Sequence, residues 1–357
     1  MAQNKQHNKV VLATRFSALG DVAMTIPALY DACTSNPDAT IVMLTRRSMT
    51  GLFVNRPDNL IIEGVNLDDY KGIAGMWRLM GEMVTRHGIT AYADLHDVLR
   101  TKLLRIAARL KGIPTAHIDK GRSEKKRLTR RAHKVMLPLT NSVDRYRATL
   151  AAVGLAAEPR FVGLFDGRPS DPTAYAAITP PRQPGETWIG IAPFAKHEGK
   201  IYPPSLMEQV VRELSGRTGT TVFLFGGGPY EQKILGEWAR KYPSTISLAG
   251  KRYGFDVEMA LFRDLDAMIT MDSANMHMAA LAGSPVIAVW GATHPYCGFS
   301  GWHIPDDRNI QLPIPCRPCS VFGNKPCLTG DYRCMTSIKP NYITDKVDEI
   351  IAKRHNS

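Results

Sequence analysis

The sequence predicts an α/β protein made of two doubly wound, Rossmann-like halves. Three observations carry this prediction. Short apolar, β-branched runs alternate with segments of helical spacing, the pattern of parallel strands joined by crossover helices. The series occurs twice, on either side of a stretch rich in Pro and Gly. The chain has 357 residues, which suits two domains of about 150 residues each better than one.

The elements follow in order. Val10–Thr14 reads as a buried strand, and Ile26–Cys33 as a helix with Pro27 near its start, where proline is tolerated. Thr40–Leu44 and Leu60–Ile62 are the next strands. Residues 73–86 and 97–110 have helical spacing, with a strand at Ala91–Leu95 between them. Residues 166–186, holding Pro169, Pro172, Pro180, Pro181 and Pro184, read as a linker. The second series has strands at Trp188–Ala192, Thr221–Phe225, Ala267–Met271 and Pro285–Trp290. Its helices lie at Leu206–Leu214, Glu231–Arg240 and Met276–Ala282, the last stopped by Gly283. A final helix over Thr344–Arg354 shows one apolar face. The expected division is an N-terminal domain over 1–165, the linker, a C-terminal domain over 187–340, and a terminal helix over 341–357 packing back on the first domain.

Composition narrows the function. With 44% hydrophobic and 22% charged residues the chain is globular, neither disordered nor a disulfide-dense mini-protein. No run approaches the roughly 18 apolar residues of a membrane-spanning helix. The start, Met1–Val10, is polar and lacks a signal-peptide core, so a cytoplasmic protein is expected. The net charge is +12. Residues 1–150 carry 24 basic and 13 acidic side chains, against 21 and 20 in the remainder. The first half should therefore meet something anionic, whether a phosphorylated substrate, a membrane surface or nucleic acid.

Six constellations carry chemistry. Arg15–Asp21 follows the first strand, at the edge where such sheets bind ligands. Asp21, just before a helix, suits a carboxylate that accepts a proton or one that only braces the turn. Lys196–Pro203 places Lys200 where it could neutralise a diphosphate or simply be solvated. Phe225–Glu231 offers glycines and a glutamate at a helix start, fit for ribose hydroxyls or for the helix dipole. Thr270–His277 puts small residues at a helix start, whose N–H groups suit phosphate oxygens. Cys316, Cys319, Cys327 and Cys334 are compatible with zinc or with packed thiols; the second pair lacks standard ligand spacing. The run from Lys120 to Lys134 is basic but poor in aromatics, which argues against base stacking and for phosphates or a bilayer. No G-x-G-x-x-G is present, which speaks against a dinucleotide dehydrogenase.

Taken together, these pieces resemble glycosyltransferase family 9, the bacterial lipopolysaccharide heptosyltransferases. The resemblance rests on Phe16-Ser17-Ala18-Leu19-Gly20-Asp21 with Pro27 in the next helix, on Asp272-Ser273-Ala274-Asn275-Met276-His277, on Ala279–Gly291, and on the late segment ending Arg333-Cys334-Met335. It implies a GT-B fold, two Rossmann-like domains facing a central cleft. It also implies an inverting, metal-independent transfer from ADP-heptose to a Kdo- or heptose-bearing lipid A acceptor at the inner face of the inner membrane. On this resemblance Asp21 is the general base, and Lys200, Glu231, Asp272, Ser273, Ala274 and His277 hold the donor. Ser17, Lys120, Arg122 and Arg127 are expected on the acceptor side. No cofactor, metal or nucleic acid is implied, the ADP-sugar being a substrate. Ala274 stands where the family has glycine, and Phe194-Ala195 where relatives often carry hydroxyl residues. A GT-B glycosyltransferase using another nucleotide sugar or glycan acceptor is the alternative, and a non-catalytic basic membrane- or nucleic-acid-binding protein a distant one.

Overall fold

A computed structural model describes residues 9–355; the polar start, residues 1–8, and the last two residues lie outside it. The chain divides into two units. Residues up to 120 together with 140–162 form the first, and 121–139 together with 163 onward form the second.

The first unit runs β1 (Val10–Thr14), α1 (Leu19–Ala23), α2 (Ile26–Ser35), β2 (Thr40–Arg46), β3 (Leu60–Val65), α3 (Gly72–His87), β4 (Ala91–Asp94), α4 (Leu99–Leu110) and β5 (Thr115–His117). α5 (Arg122–Leu128) then belongs to the second unit, and α6 (Ser142–Ala151) returns to the first. The five strands are parallel in the order β3-β2-β1-β4-β5. Leu12, Val42, Leu44 and Tyr92 from the sheet pack with Met76, Leu79, Met80, Met83 and Leu104 from α3 and α4. α3 stops at Gly88, whose φ of +65° is the left-handed cap that glycine takes without strain.

The second unit runs β6 (Thr187–Ala192), α7 (Pro204–Ser215), β7 (Thr220–Leu224), α8 (Pro229–Lys241), β8 (Thr245–Ser247), α9 (Phe255–Asp264), β9 (Ala267–Met271), α10 (Ala274–Ala282), β10 (Val286–Val289), β11 (Asn309–Ile310), α11 (Arg333–Thr336) and α12 (Pro340–His355). Its six strands are again parallel, ordered β11-β10-β9-β6-β7-β8. In both sheets the first strand of the unit lies between its second and its fourth. Each chain order thus reverses beside that first strand, which opens a crevice beyond the carboxyl ends of β1 and β4, and of β6 and β9.

Three expectations are redrawn. The stretch expected as linker packs on the second unit: Ser170 Oγ and Tyr175 OH each donate to Asp264 Oδ2 at 2.7 Å, and the Tyr175 ring meets Trp188 edge-on. α12 belongs to the second unit, where its apolar face, Ile343, Val347 and Ile350, joins the core beside α7 and β9. The basic segment 121–139 also belongs to the second unit. Leu139 N–H donates to Tyr296 O at 3.0 Å, and the Lys125 ammonium lies 4.3 Å from the Phe299 ring centre. The charge asymmetry between chain halves therefore largely dissolves: the first unit holds 18 basic and 13 acidic residues, the second 27 and 20.

Candidate active site

In the first unit, β1 and β4 deliver two short loops to the same crevice. Arg15, directly after β1, is buried and ties them together. One guanidinium nitrogen lies 2.8 Å from Asp21 Oδ2, and another donates to Leu95 O at 2.7 Å, beyond β4. The guanidinium also lies 5.5 Å from the Tyr146 ring centre, and Tyr146 OH donates to Asp21 O at 3.3 Å. Asp21 sits in the first turn of α1 and accepts from Ala18 N–H at 3.3 Å, half of a capping box. It therefore braces the turn, yet its side chain stays one-third exposed at 34%. A carboxylate held by a fixed cation and a backbone donor, but open to solvent, can accept a proton from an incoming hydroxyl.

His96, after β4, completes this loop pair. Its Nδ1 accepts from Phe16 N–H at 3.4 Å, which leaves the ring proton on Nε2, 3.3 Å from Ser17 Oγ. Burial, aided by the charges of Arg15 and Lys120, pushes His96 down to about 3, so the ring is neutral across the physiological range. Its loop is anchored by Asp94, whose Oδ1 accepts from the N–H groups of His96 and Asp97. Lys120 reaches the same loop through the Asp97 carbonyl at 3.0 Å. Arg122 and Arg127 lie on α5, in the second unit, so the structure does not bring them into one unit with Ser17 and Asp21. His96 is the residue that sequence reasoning misses. The available signal was its place just past the strand that flanks β1.

In the second unit, Lys200 and Asp272 meet at the β6–β9 crevice. Lys200 Nζ lies 2.8 Å from Asp272 Oδ2, and both are largely buried. Thr293 Oγ1 donates to the same oxygen at 2.8 Å, so the carboxylate is held from two sides. Lys200 closes a one-turn helix, Glu198–Lys200, pinned by Ala292 N–H donating to Gly199 O at 2.8 Å. A Cβ on Gly199 would come within 2.8 Å of Gly323 O, so the close approach requires glycine there. Ser273 caps α10, its hydroxyl 3.3 Å from that of Thr270. Ser273, Ala274 and Asn275 are half-buried while the rest of the helix, His277 included, is buried. Only the N-terminal turn of α10 thus reaches outward. Glu231, in the first turn of α8, folds back on the glycine turn, its Oε2 accepting from Gly227 N–H at 2.6 Å.

The four late cysteines line one small cavity with Arg317, Tyr332 and Leu328. All are free thiols, and burial pushes Cys334 up to about 11. Among the described residues no group of three or more His, Cys, Asp or Glu is arranged to hold a metal ion.

Comparison with known proteins places these features in a family. The model of glycosyltransferase family 9 (heptosyltransferase) matches residues 95–325. The chain is 21% identical to lipooligosaccharide heptosyltransferase 2 of Campylobacter jejuni, over 94% of this chain and 97% of that one. Among solved structures it is similar to a family 9 glycosyl transferase from Veillonella parvula, at TM-score 0.73 and 15% identity over 97% and 98% of the two chains. It is also similar to the E. coli ADP-heptose lps heptosyltransferase II, at TM-score 0.68 and 16% identity over 97% and 99%. Both likenesses place the chain in the GT-B fold.

Proposed function

From the premise that this chain belongs to glycosyltransferase family 9, we propose that it transfers a heptose from ADP-heptose to a lipopolysaccharide inner-core acceptor carrying Kdo or a first heptose. The observation that carries this is the Lys200–Asp272 pair beneath the outward-facing first turn of α10. A fixed ammonium beside free helical N–H groups suits a nucleoside diphosphate as ligand and then as leaving group. Asp272 and Thr293 aim the ammonium, Glu231 accepts from ribose hydroxyls, and His277 lies in the turn that meets the phosphates. Ala274 brings the helix backbone to them with one methyl more than glycine would.

In the reaction the acceptor hydroxyl attacks the anomeric carbon from the face opposite the diphosphate, forming the new C–O bond as the old one breaks. Asp21 takes the hydroxyl proton, and the configuration inverts. Lys200 and the α10 N–H groups take up the charge that develops on ADP, so the reading assigns no step to a metal or cofactor. Ser17 and Lys120 are assigned to the acceptor, and Arg122 and Arg127 offer cations that suit its phosphates. The protein would work at the cytoplasmic face of the membrane that holds this acceptor. Consistent with peripheral attachment, none of the described helices is long and apolar enough to cross a membrane.

A transfer assay with purified nucleotide sugars and Kdo-lipid A tests this. The expected result is ADP release coupled to gain of one heptose, with inverted anomeric configuration by NMR and full activity in EDTA. Transfer only from a UDP- or GDP-sugar would replace the donor, and retention of configuration would remove Asp21 as the base.

A further inference from the structure

The first unit exposes large apolar side chains on two neighbouring helices, with half-buried Leu103 linking those of α4 to the core. Of the seven large exposed hydrophobic residues among its described residues, five lie on α3 and α4: Ile73 (64%), Trp77 (37%), Leu99 (75%), Ile106 (48%) and Leu110 (69%). On α4, Leu99, Leu103, Ile106 and Leu110 fall within about 60° of arc, one stripe along the whole helix. The opposite side of α4 is committed to the core through Thr101, Leu104, Ala107 and Ala108. The chain steps in one direction from β3 to β4 to β5, separated by β2 and β1 in the first step. Right-handed crossovers therefore set α3 and α4 on the same side of the sheet, where they touch. On α3, Ile73 and Trp77 stand one turn apart.

Charge says what covers this face. α4 contains no acidic residue. Lys102 and Arg109 flank the stripe on one side, and exposed Arg100 and Lys111 stand at the two ends of the helix, where long side chains can lay their stems on lipid and hold their charges at the phosphates. Lys102 lies 3.8 Å from Asp97, and Arg109 Nε donates to Thr115 Oγ1 at 2.9 Å. A second copy of the chain related by two-fold symmetry would bring the same cations against each other. An anionic bilayer complements both the stripe and its flanks, and a half-exposed tryptophan suits the headgroup layer.

We propose that the α3–α4 face is a membrane-docking surface that lies in the headgroup region of an anionic bilayer. Both helices begin at the carboxyl edge of the first sheet, the edge that carries Asp21, so docking sets that edge beside the lipid surface. The proposal rests on the membrane-held acceptor for its biological setting, but its test needs no sugar.

The test is flotation of the full-length protein with phosphatidylethanolamine–phosphatidylglycerol vesicles and with phosphatidylcholine vesicles. The expected result is binding to the first that weakens with salt, and little binding to the second. The triple variant L99E/I106E/L110E should lose at least about tenfold in affinity, since it sets charge where the stripe would bury. R100Q/K102Q/R109Q/K111Q should lose up to about fivefold per side chain and flatten the salt dependence. Unfolding temperature and ADP binding of both variants should match the parent, because the substituted side chains are exposed. Equal flotation of parent and variants, or none by the parent, overturns the proposal. So does a parent dimer by analytical ultracentrifugation that the triple variant converts to monomer, because the face would then be an interface between copies. Loss of ADP binding by the parent would instead count against the donor reading and leave this one standing.

Discussion

At the scale of single residues, each crevice is organised by a buried cation that fixes a carboxylate, Arg15 on Asp21 and Lys200 on Asp272. The two pairs differ in access. Asp21 is one-third exposed, whereas Asp272 is buried and shares its oxygen with Thr293. This difference supports the proposed roles, Asp21 as proton acceptor and Asp272 as a positioning group. Asp21→Asn keeps the size and the hydrogen-bond geometry but not the basicity; kcat should fall about 10²- to 10⁴-fold with ADP affinity unchanged. A mutant that turns over normally would move the base elsewhere. His96 makes a second prediction. Its folded pKa, about 3, lies below the unfolded value near 6.5. The unfolded state therefore binds the extra proton between those values, and stability contributed by neutral His96 is complete above pH 6.5 and is lost as pH falls toward 3. The difference in urea midpoint between parent and His96→Gln should vary with pH in that window only, at a slope of at most about 1.4 kcal/mol per pH unit.

At the scale of elements, the carboxyl-edge loops are short because the strands that carry them are buried on both faces and bounded by tight turns. α12 shows the same logic at the other end of the second unit. Ile343 is fully buried between α12 and the sheet, so Ile343→Ala should cost about 2–5 kcal/mol in urea denaturation. A cost below 1 kcal/mol would mean that the helix is peripheral to the core. Apolar strands such as β1, β2, β6 and β9 are legible in the sequence because burial on both faces leaves an unbroken apolar run, and α2, α7 and α10 are legible from their helical spacing. β5 and β8 are three residues each and leave no such run. α6 starts at an Asn141 cap that a pattern of apolar spacing does not register. The return of 121–139 to the second unit is set by contacts with Tyr296, Phe299 and Cys316, far along the chain, which no local window contains. The donor-side motif was legible as a strand end followed by small residues. Thr293, twenty-one residues beyond Asp272, was not.

At the scale of the whole molecule, two sheets that share the order of their first five strands each hold a cation–carboxylate pair at the carboxyl edge, and the proposed function takes one as a proton acceptor and the other as part of a diphosphate cradle. Family membership supplies the transferase, and Lys200, Asp272 and the first turn of α10 are proposed to make the second edge a nucleoside diphosphate site. The most direct test is thermal unfolding of the parent and of Lys200→Ala with ADP, UDP, GDP or CMP. A nucleotide at about 100 times its dissociation constant adds about 2.7 kcal/mol of stability. A rise in unfolding temperature selective for ADP is expected in the parent. In Lys200→Ala the dissociation constant for ADP should rise about 10- to 100-fold, the loss of one charge-assisted contact. An ADP shift of the same size and midpoint in the variant would contradict this assignment, because the diphosphate would then lie away from Lys200 and Asp272.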